Sequence, residues 1–300
     1  MSQLSRSELL IKSISKKQIG VEIGPLHNPL TPKKAGFGSL SMDIKCRDDL
    51  IKSYPSLTEE QKDRIEDVDI ISKATFLESL DNYCSSENSL LKSSTESLDY
   101  IVSSHNFEHL PNPIRFLEDC QRCLKENGLL IMAIPISSRC FDVTKPLSSS
   151  GDLLDAFIQD RQQPPFGKVF DQLTNNPFVT GKPVVPKTFR LQELDLACAD
   201  ITPMWFDGIL SRWNSTYMNC HCWQFNHFSF NLIFEEIRSC GFYSDLDIIE
   251  CSEQGLEFFV EIQKNTVKNE SSERIGKSRR IDLLKKSLGF MLDDLNNQSA

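Results

Sequence analysis

Short apolar runs alternate with stretches of three- and four-residue hydrophobic spacing through the first half of the chain. "IGVEIG" (19–24), "SLSMDIK" (39–45), "DVDII" (67–71) and "SLDYIVSS" (97–104) read as buried strands, the first ending in glycine. In "NPIRFLEDCQRCLKENG", the residues Ile114, Phe116, Leu117, Cys120 and Leu124 share one helical face. Asn112 suits the cap, Pro113 suits the first turn, and Asn127-Gly128 is expected to stop the helix. "GLLIMAIPI" is apolar throughout, as a parallel strand covered on both faces should be. The alternation predicts an α/β fold with right-handed crossovers.

The periodicity lapses over 137–225, a stretch rich in Pro, Ser, Asp and aromatic residues and too long for a plain loop. It reads as an insertion with short helices at "GDLLDAFIQD" (151–160) and "TFRLQELDLACAD" (188–200). Regular patterning returns with a helix in "FSFNLIFEEIRSCGF", ended by Gly241, and with the strands "SDLDIIEC" and "LEFFVEIQK", which suit an antiparallel edge hairpin. A polar linker follows, and then "RIDLLKKSLGFMLDDL", with Ile281, Leu284, Leu288, Met291 and Leu295 on one stripe. That stripe is expected to pack on the domain or on a second copy, giving a homodimer through the C-terminal helix. The expected division is a core of 1–136 and 226–264, an insertion of 137–225, and a linker with helix over 265–300.

Charge narrows the partners. The net charge is −9 over 300 residues, so no basic stripe for phosphate contacts is evident and nucleic acid is not an expected partner. The N-terminus lacks the uninterrupted apolar core of a signal peptide, and the longest apolar stretch, 129–136, is far short of a membrane span of ~20 residues. These features predict a cytoplasmic protein. Its ten cysteines show no repeat spacing and read as small buried hydrophobes in a reducing compartment.

The loop after the first strand narrows the chemistry. A dinucleotide site wants three glycines, for the turn, for approach to the pyrophosphate and for helix packing. "GVEIGPLHNPLTP" supplies Gly24 at the turn, then Pro25, Leu26, Pro29 and Pro32, so a phosphate-binding helix cannot open directly behind it. NAD and FAD are disfavoured. Asp43, nineteen residues after Gly24 at the end of the second strand, can nevertheless accept both hydroxyls of a ribose. An adenosine without a diphosphate fits, and S-adenosylmethionine is such a molecule. Glu22, an acid inside an apolar strand, would face its ammonium or serve a structural pair.

Here the chain resembles the class I S-adenosylmethionine-dependent methyltransferases, in particular a methyltransferase type 11-like bacterial group. The likeness lies in "VEIGPLHNPL", "MDIK" and "LDYIVSSHNFEHLPNPIRFLEDCQRCLKENGLLIMAIP", over roughly 18–136 and the closing hairpin. It implies a Rossmann-like, mainly parallel seven-stranded sheet with an antiparallel edge hairpin and a long insertion after the fifth strand. It also implies a cofactor site at Glu22, Gly24, Pro25, Asp43, Ser72, Ser104 and His105. Two departures are visible. Leu26 stands where the family often has a second glycine, and Lys125-Glu126-Asn127-Gly128 stands for Lys-Pro-Gly-Gly.

Candidates for acceptor chemistry are fewer. The His-x-Trp of His221 resembles a family segment on the acceptor side, where a neutral imidazole can remove a proton; a packed histidine is the other reading. Arg139 and Asp142, with Lys145, suit either a polar acceptor or a solvated loop. His105, Glu108 and His109 invite a metal reading, but no third ligand is evident in sequence, and Cys220, His221, Cys222 and His227 lack the paired knuckles of structural zinc; no metal is expected. The resulting expectation is an enzyme methylating O or N of a small molecule, with a saccharide implied by resemblance. Its alternative is a non-catalytic methyltransferase-fold protein that binds through the insertion and C-terminal helix.

Overall fold

The computed structural model describes residues 4–179, 182–183, 195–196, 200–265 and 274–299. Ten strands are present among them: β1 Ile19–Ile23, β2 Gly38–Asp43, β3 Ile70–Ile71, β4 Leu98–Ser104, β5 Leu124–Pro135, β6 Pro177–Val179, β7 Lys182–Pro183, β8 Asp195–Leu196, β9 Leu246–Gln254 and β10 Glu257–Lys264. Seven form one sheet in the order β3-β2-β1-β4-β5-β10-β9. β1 to β5 run parallel, and β10 is antiparallel to both β5 and β9. The strand order reverses beside β1, the position where open α/β sheets leave a crevice beyond their carboxyl ends.

Side chains alternate across the sheet. Val21, Leu40, Ile101, Leu130 and Met132 enter the larger core, which includes the helices Pro113–Cys123 and His227–Ser239. Tyr100, Val102, Ile131, Ala133 and Phe259 point the other way, where Leu10 of helix Arg6–Leu10 and Leu30 cover them. Gly20 is obligatory in this layer because a Cβ there would lie 2.3 Å from the Tyr100 ring.

Three expectations change. The third strand shrinks to Ile70–Ile71, because Asp69 reaches Ser41 through both its backbone N–H and its carboxylate before the ladder begins at Met42 and Ile70. Helix Pro113–Cys123, capped by Asn112 Oδ1, ends before Asn127-Gly128, since Leu124 turns extended to pair with Leu98 and is fully buried. Within 188–200, read as a helix, Asp195–Leu196 form a strand beside β6; 188–194 and 197–199, including Cys198, lie outside the described residues. Helices Phe166–Thr174 and Pro203–Ser215 belong to the stretch where no period was legible.

The C-terminal helix Lys277–Ser299 also docks on a different face from the expected one. Leu283, Ser287 and Asp294 are buried and Phe290 is packed on the core, whereas Ile281, Leu284 and Leu288 are exposed. Polar bonds outweigh the apolar stripe here. Asn226 Nδ2 donates to Ser287 O and Oγ, and Arg139 holds Asp294 through Nε at 2.9 Å and Nη2 at 2.8 Å while Ser138 Oγ donates to the same carboxylate at 2.5 Å. Asp294→Ala is expected to cost about 2 kcal/mol, the scale of hydrogen bonds to a charged group, and to free the helix to exchange amide hydrogens. Hydrogen-exchange mass spectrometry over 277–299 checks it.

Candidate active site

The crevice is built at the carboxyl ends of β1, β2 and β4. Gly24 takes φ +62° and donates its N–H to Met42 O on β2 at 2.8 Å, and a Cβ on it would meet nothing within 4 Å. Leu26, in place of a family glycine, keeps a positive φ of 43°, and Asn127 does the same at 62°. The departures in sequence therefore preserve the left-handed backbone that glycine normally supplies.

Asp43 closes β2 half-buried. Its Oδ1 accepts the Ile44 N–H at 2.7 Å, and Oδ2 accepts no hydrogen bond among the described residues. Burial raises the Asp43 pKa, opposed by that N–H and by Lys45. Ile44 and Ile71, at the ends of adjacent strands, are exposed apolar side chains beside it. An open glycine turn, an uncommitted carboxylate oxygen and apolar side chains fit the edge, ribose and base of adenosine. Ser72 N donates to Asp43 O, and its hydroxyl lies 3.0 Å from Ser79 Oγ, so Ser72 braces this corner with its own bonds engaged.

Glu22 has another task than the ammonium contact expected of it. It is 4% exposed, and its carboxylate accepts Leu30 N at 2.7 Å, Thr31 N at 2.8 Å and Thr31 Oγ1 at 2.8 Å. A buried carboxylate needs such donors. Burial raises its pKa and the three donors oppose the rise. The returning loop, which the prolines shape, thus closes on Glu22 from inside the fold. Pro25 remains at the turn itself.

Ser104 and His105 end β4, where His105 takes φ +51°. They join a network with Glu257: Arg6 clasps that carboxylate through Nε at 2.5 Å and Nη2 at 2.8 Å, donates to Ser104 Oγ at 3.2 Å, and His105 Nε2 lies 2.8 Å from Glu257 Oε2. Burial alone would raise Glu257, but Arg6 and His105 overcome it and bring its pKa to about 2. The Arg6 clasp has no counterpart in the sequence reading, because it joins residues 251 positions apart.

A second polar cluster lies beyond β4 and β5. His221 Nδ1 is 2.6 Å from Asp142 Oδ2, and Lys145 Nζ donates to Asp142 Oδ1 at 2.6 Å and to Gln172 Oε1 at 2.5 Å. All three ionisable residues are buried. Burial would raise the Asp142 pKa, yet His221 and Lys145 together hold it below the ordinary aspartate value. Backbone bonds fix the arrangement: Cys222 N and Trp223 N donate to Glu108 O, and Trp223 Nε1 donates to Leu110 O. The structure therefore unites Asp142 and His221, predicted separately, and adds Lys145. Arg139 is instead committed to Asp294, Glu253 and Gly255 O, with its guanidinium over Phe290.

The mainly parallel seven-stranded sheet with its antiparallel edge hairpin is the Rossmann-like architecture that the resemblance implied. Residues 64–132 match the methyltransferase domain family. No curated protein matches. Among solved structures, an S-adenosylmethionine-dependent methyltransferase from Mesorhizobium loti is similar at 9% identity and TM-score 0.41, over 86% of this chain and 98% of that one. One from Aquifex aeolicus is similar at 12% and 0.40, over 86% and 89%. A putative Zn-dependent alcohol dehydrogenase from Rhodobacter sphaeroides is similar at 11% and 0.40, over 86% and 88%. Likeness at this level carries no information on substrate or metal. Among the described residues no helix is long and apolar enough to cross a membrane.

Proposed function

We propose that this chain is an S-adenosylmethionine-dependent methyltransferase acting on an oxygen or nitrogen of a polar small molecule, a saccharide or sugar-like compound being the preferred class. The cofactor sits at Gly24, Asp43 and the β4 end, and the segment 137–225 covers the acceptor against the core formed by 1–136 and 226–264. S-adenosylmethionine supplies an electrophilic sulfonium methyl, so the chain's own task is alignment and removal of the acceptor proton. The observation that carries this reading is the buried Lys145–Asp142–His221 chain at the carboxyl edge of β5, with both Asp142 contacts at 2.6 Å. Asp142 holds the His221 Nδ1–H, which leaves Nε2 to accept a proton from a hydroxyl or ammonium. The exposed stripe Ile281, Leu284 and Leu288 is the surface on which a homodimer would form, and light scattering reads that state directly.

The test is incubation with methyl-labelled S-adenosylmethionine and a pool of small polar metabolites, followed by identification of the labelled product. His221→Asn should lower kcat about 10²–10⁴-fold, the range of a lost general base, while adenosylhomocysteine binding stays within twofold. Label transfer at an unchanged rate in that variant would remove His221 from the mechanism. No transfer to any acceptor, with cofactor bound, would favour a non-catalytic binding protein.

A further inference from the structure

Glu108 is buried at 0% exposure, and neither of its carboxylate oxygens has a hydrogen-bond partner among the described residues. A buried, unpartnered carboxylate is costly and calls for a compensating charge. His105 Nδ1 stands 3.6 Å from Glu108 Oε1 without bonding to it, and its Nε2 is engaged by Glu257 at 2.8 Å. His109 Nε2 and His221 Nε2 each lie 3.9 Å from Glu108 Oε1. The far nitrogen of each ring is already assigned: His109 Nδ1 lies 3.1 Å from Asn219 Oδ1, and His221 Nδ1 lies 2.6 Å from Asp142 Oδ2. With Nδ1 facing an oxygen acceptor and carrying a proton, the neutral form of each ring presents its lone pair at Nε2. The Nε2 atoms of two imidazoles thus converge on one carboxylate with no hydrogen bond joining them to it.

We propose that Glu108, His109 and His221 form a binding site for one divalent first-row transition ion of the zinc class. One ligand atom from each residue lies within 4.8 Å of the others. Ligands on a tetrahedral ion with bonds of about 2.0–2.1 Å stand about 3.3 Å apart, so small side-chain rotations close the triad. Two imidazoles and a carboxylate suit such an ion, and three protein ligands leave a position for an outside oxygen. Asn219 and Asp142 supply the supporting contacts that orient ligating histidines, and Lys145 balances Asp142. The neighbouring set Cys140, Asp142 and His221 is less apt, because its members already bond one another: Cys140 Sγ donates to Asp142 Oδ2 at 3.6 Å and His221 to the same oxygen.

The site stands on this geometry alone; its role rests on the methyltransferase reading above. An ion there would acidify an acceptor hydroxyl in place of a free imidazole, since His221 Nε2 cannot serve both as ligand and as base. Sequence spacing offered Glu108 and His109, and only the fold brings His221, 113 positions beyond Glu108, to the third corner.

The test uses the full chain, stripped with chelator, reloaded with Zn²⁺ or Co²⁺ and desalted, with adenosylhomocysteine binding measured in parallel. About one ion per chain is expected. The Co²⁺ form should show visible d–d bands without an intense thiolate charge-transfer band. Glu108→Gln should weaken binding about 100-fold or more, and Asp142→Asn about 10–100-fold, the range for a supporting partner. If Glu108→Gln unfolds, His109→Gln serves instead, with the same expected loss. Chain that binds adenosylhomocysteine but retains no ion overturns the site and leaves the methyltransferase reading intact; so does an ion held equally well by the variants, or one with thiolate bands. Stoichiometric uptake lost in the variants supports the site even where adenosylhomocysteine fails to bind.

Discussion

Asp43→Ala is expected to weaken adenosylhomocysteine binding by about 10²–10⁴-fold, measured by calorimetry, without lowering the melting temperature of the free protein. Two hydrogen bonds from ribose hydroxyls to an ionised carboxylate are worth about 1.5–3 kcal/mol each, and alanine loses both. The free protein loses little, because Asp43 makes one local bond, to Ile44 N, and carries a desolvation cost that raises its pKa. The pH dependence follows with opposite signs. A carboxyl whose pKa is raised in the folded state favours folding in its protonated form, so its stabilising contribution is full below the unfolded pKa and is lost as pH rises through the folded one. Cofactor binding needs the carboxylate, so affinity should fall as pH drops through that same raised value. Asp43→Asn should flatten both trends. Unchanged affinity in Asp43→Ala would move the ribose elsewhere.

Glu22→Ala is expected to destabilise the fold by about 3–6 kcal/mol, read by denaturant unfolding. It removes the acceptor of two backbone N–H groups and one hydroxyl in a dry interior, and each stranded donor costs about 1–3 kcal/mol. Glu22→Gln should fall in between. Its single carbonyl oxygen satisfies either Leu30 N or Thr31 N, while its amide nitrogen points a donor at the other. A Glu22→Gln protein as stable as the parent would show that the loop does not depend on this carboxylate. The prediction also separates the two readings of Glu22, since a cofactor-facing acid would cost affinity and leave stability nearly unchanged.

Most of the core was legible because its signals are local. The strands near 19–24, 39–45 and 97–104, the Asn112-Pro113 helix start and the closing hairpin each depend on residues within a few positions of one another, and each stands where the spacing put it. The placement of Gly24 and Asp43 at the ends of β1 and β2 was legible for the same reason, through a distance set by one strand–crossover–strand unit. The fate of Glu22 was not, because an acid in an apolar strand announces only that it needs partners, and those partners are amides of a loop whose path no periodicity reveals. The bond of Arg139 to Asp294, foreseen by neither the acceptor nor the solvated-loop reading, was hidden for a related reason: the two lie 155 residues apart. The C-terminal helix shows the limit from the other side. Its apolar stripe was correctly seen as a stripe, but Asn226 and Arg139 select the adjoining face with hydrogen bonds that hydrophobic spacing does not encode.

The grip of Arg139 on Asp294 fixes the turn Ser137–Arg139, three positions before Asp142, to the last helix of the chain. During translation that turn leaves the ribosome 155 residues ahead of its anchor Asp294, and β10, which completes the sheet at Lys264, emerges shortly before that anchor, so the corner holding Asp142, Lys145 and His221 is among the last parts to be set. Shortened versions made for crystallisation or fusion should therefore retain 277–299 even though this helix adds no strand to the sheet.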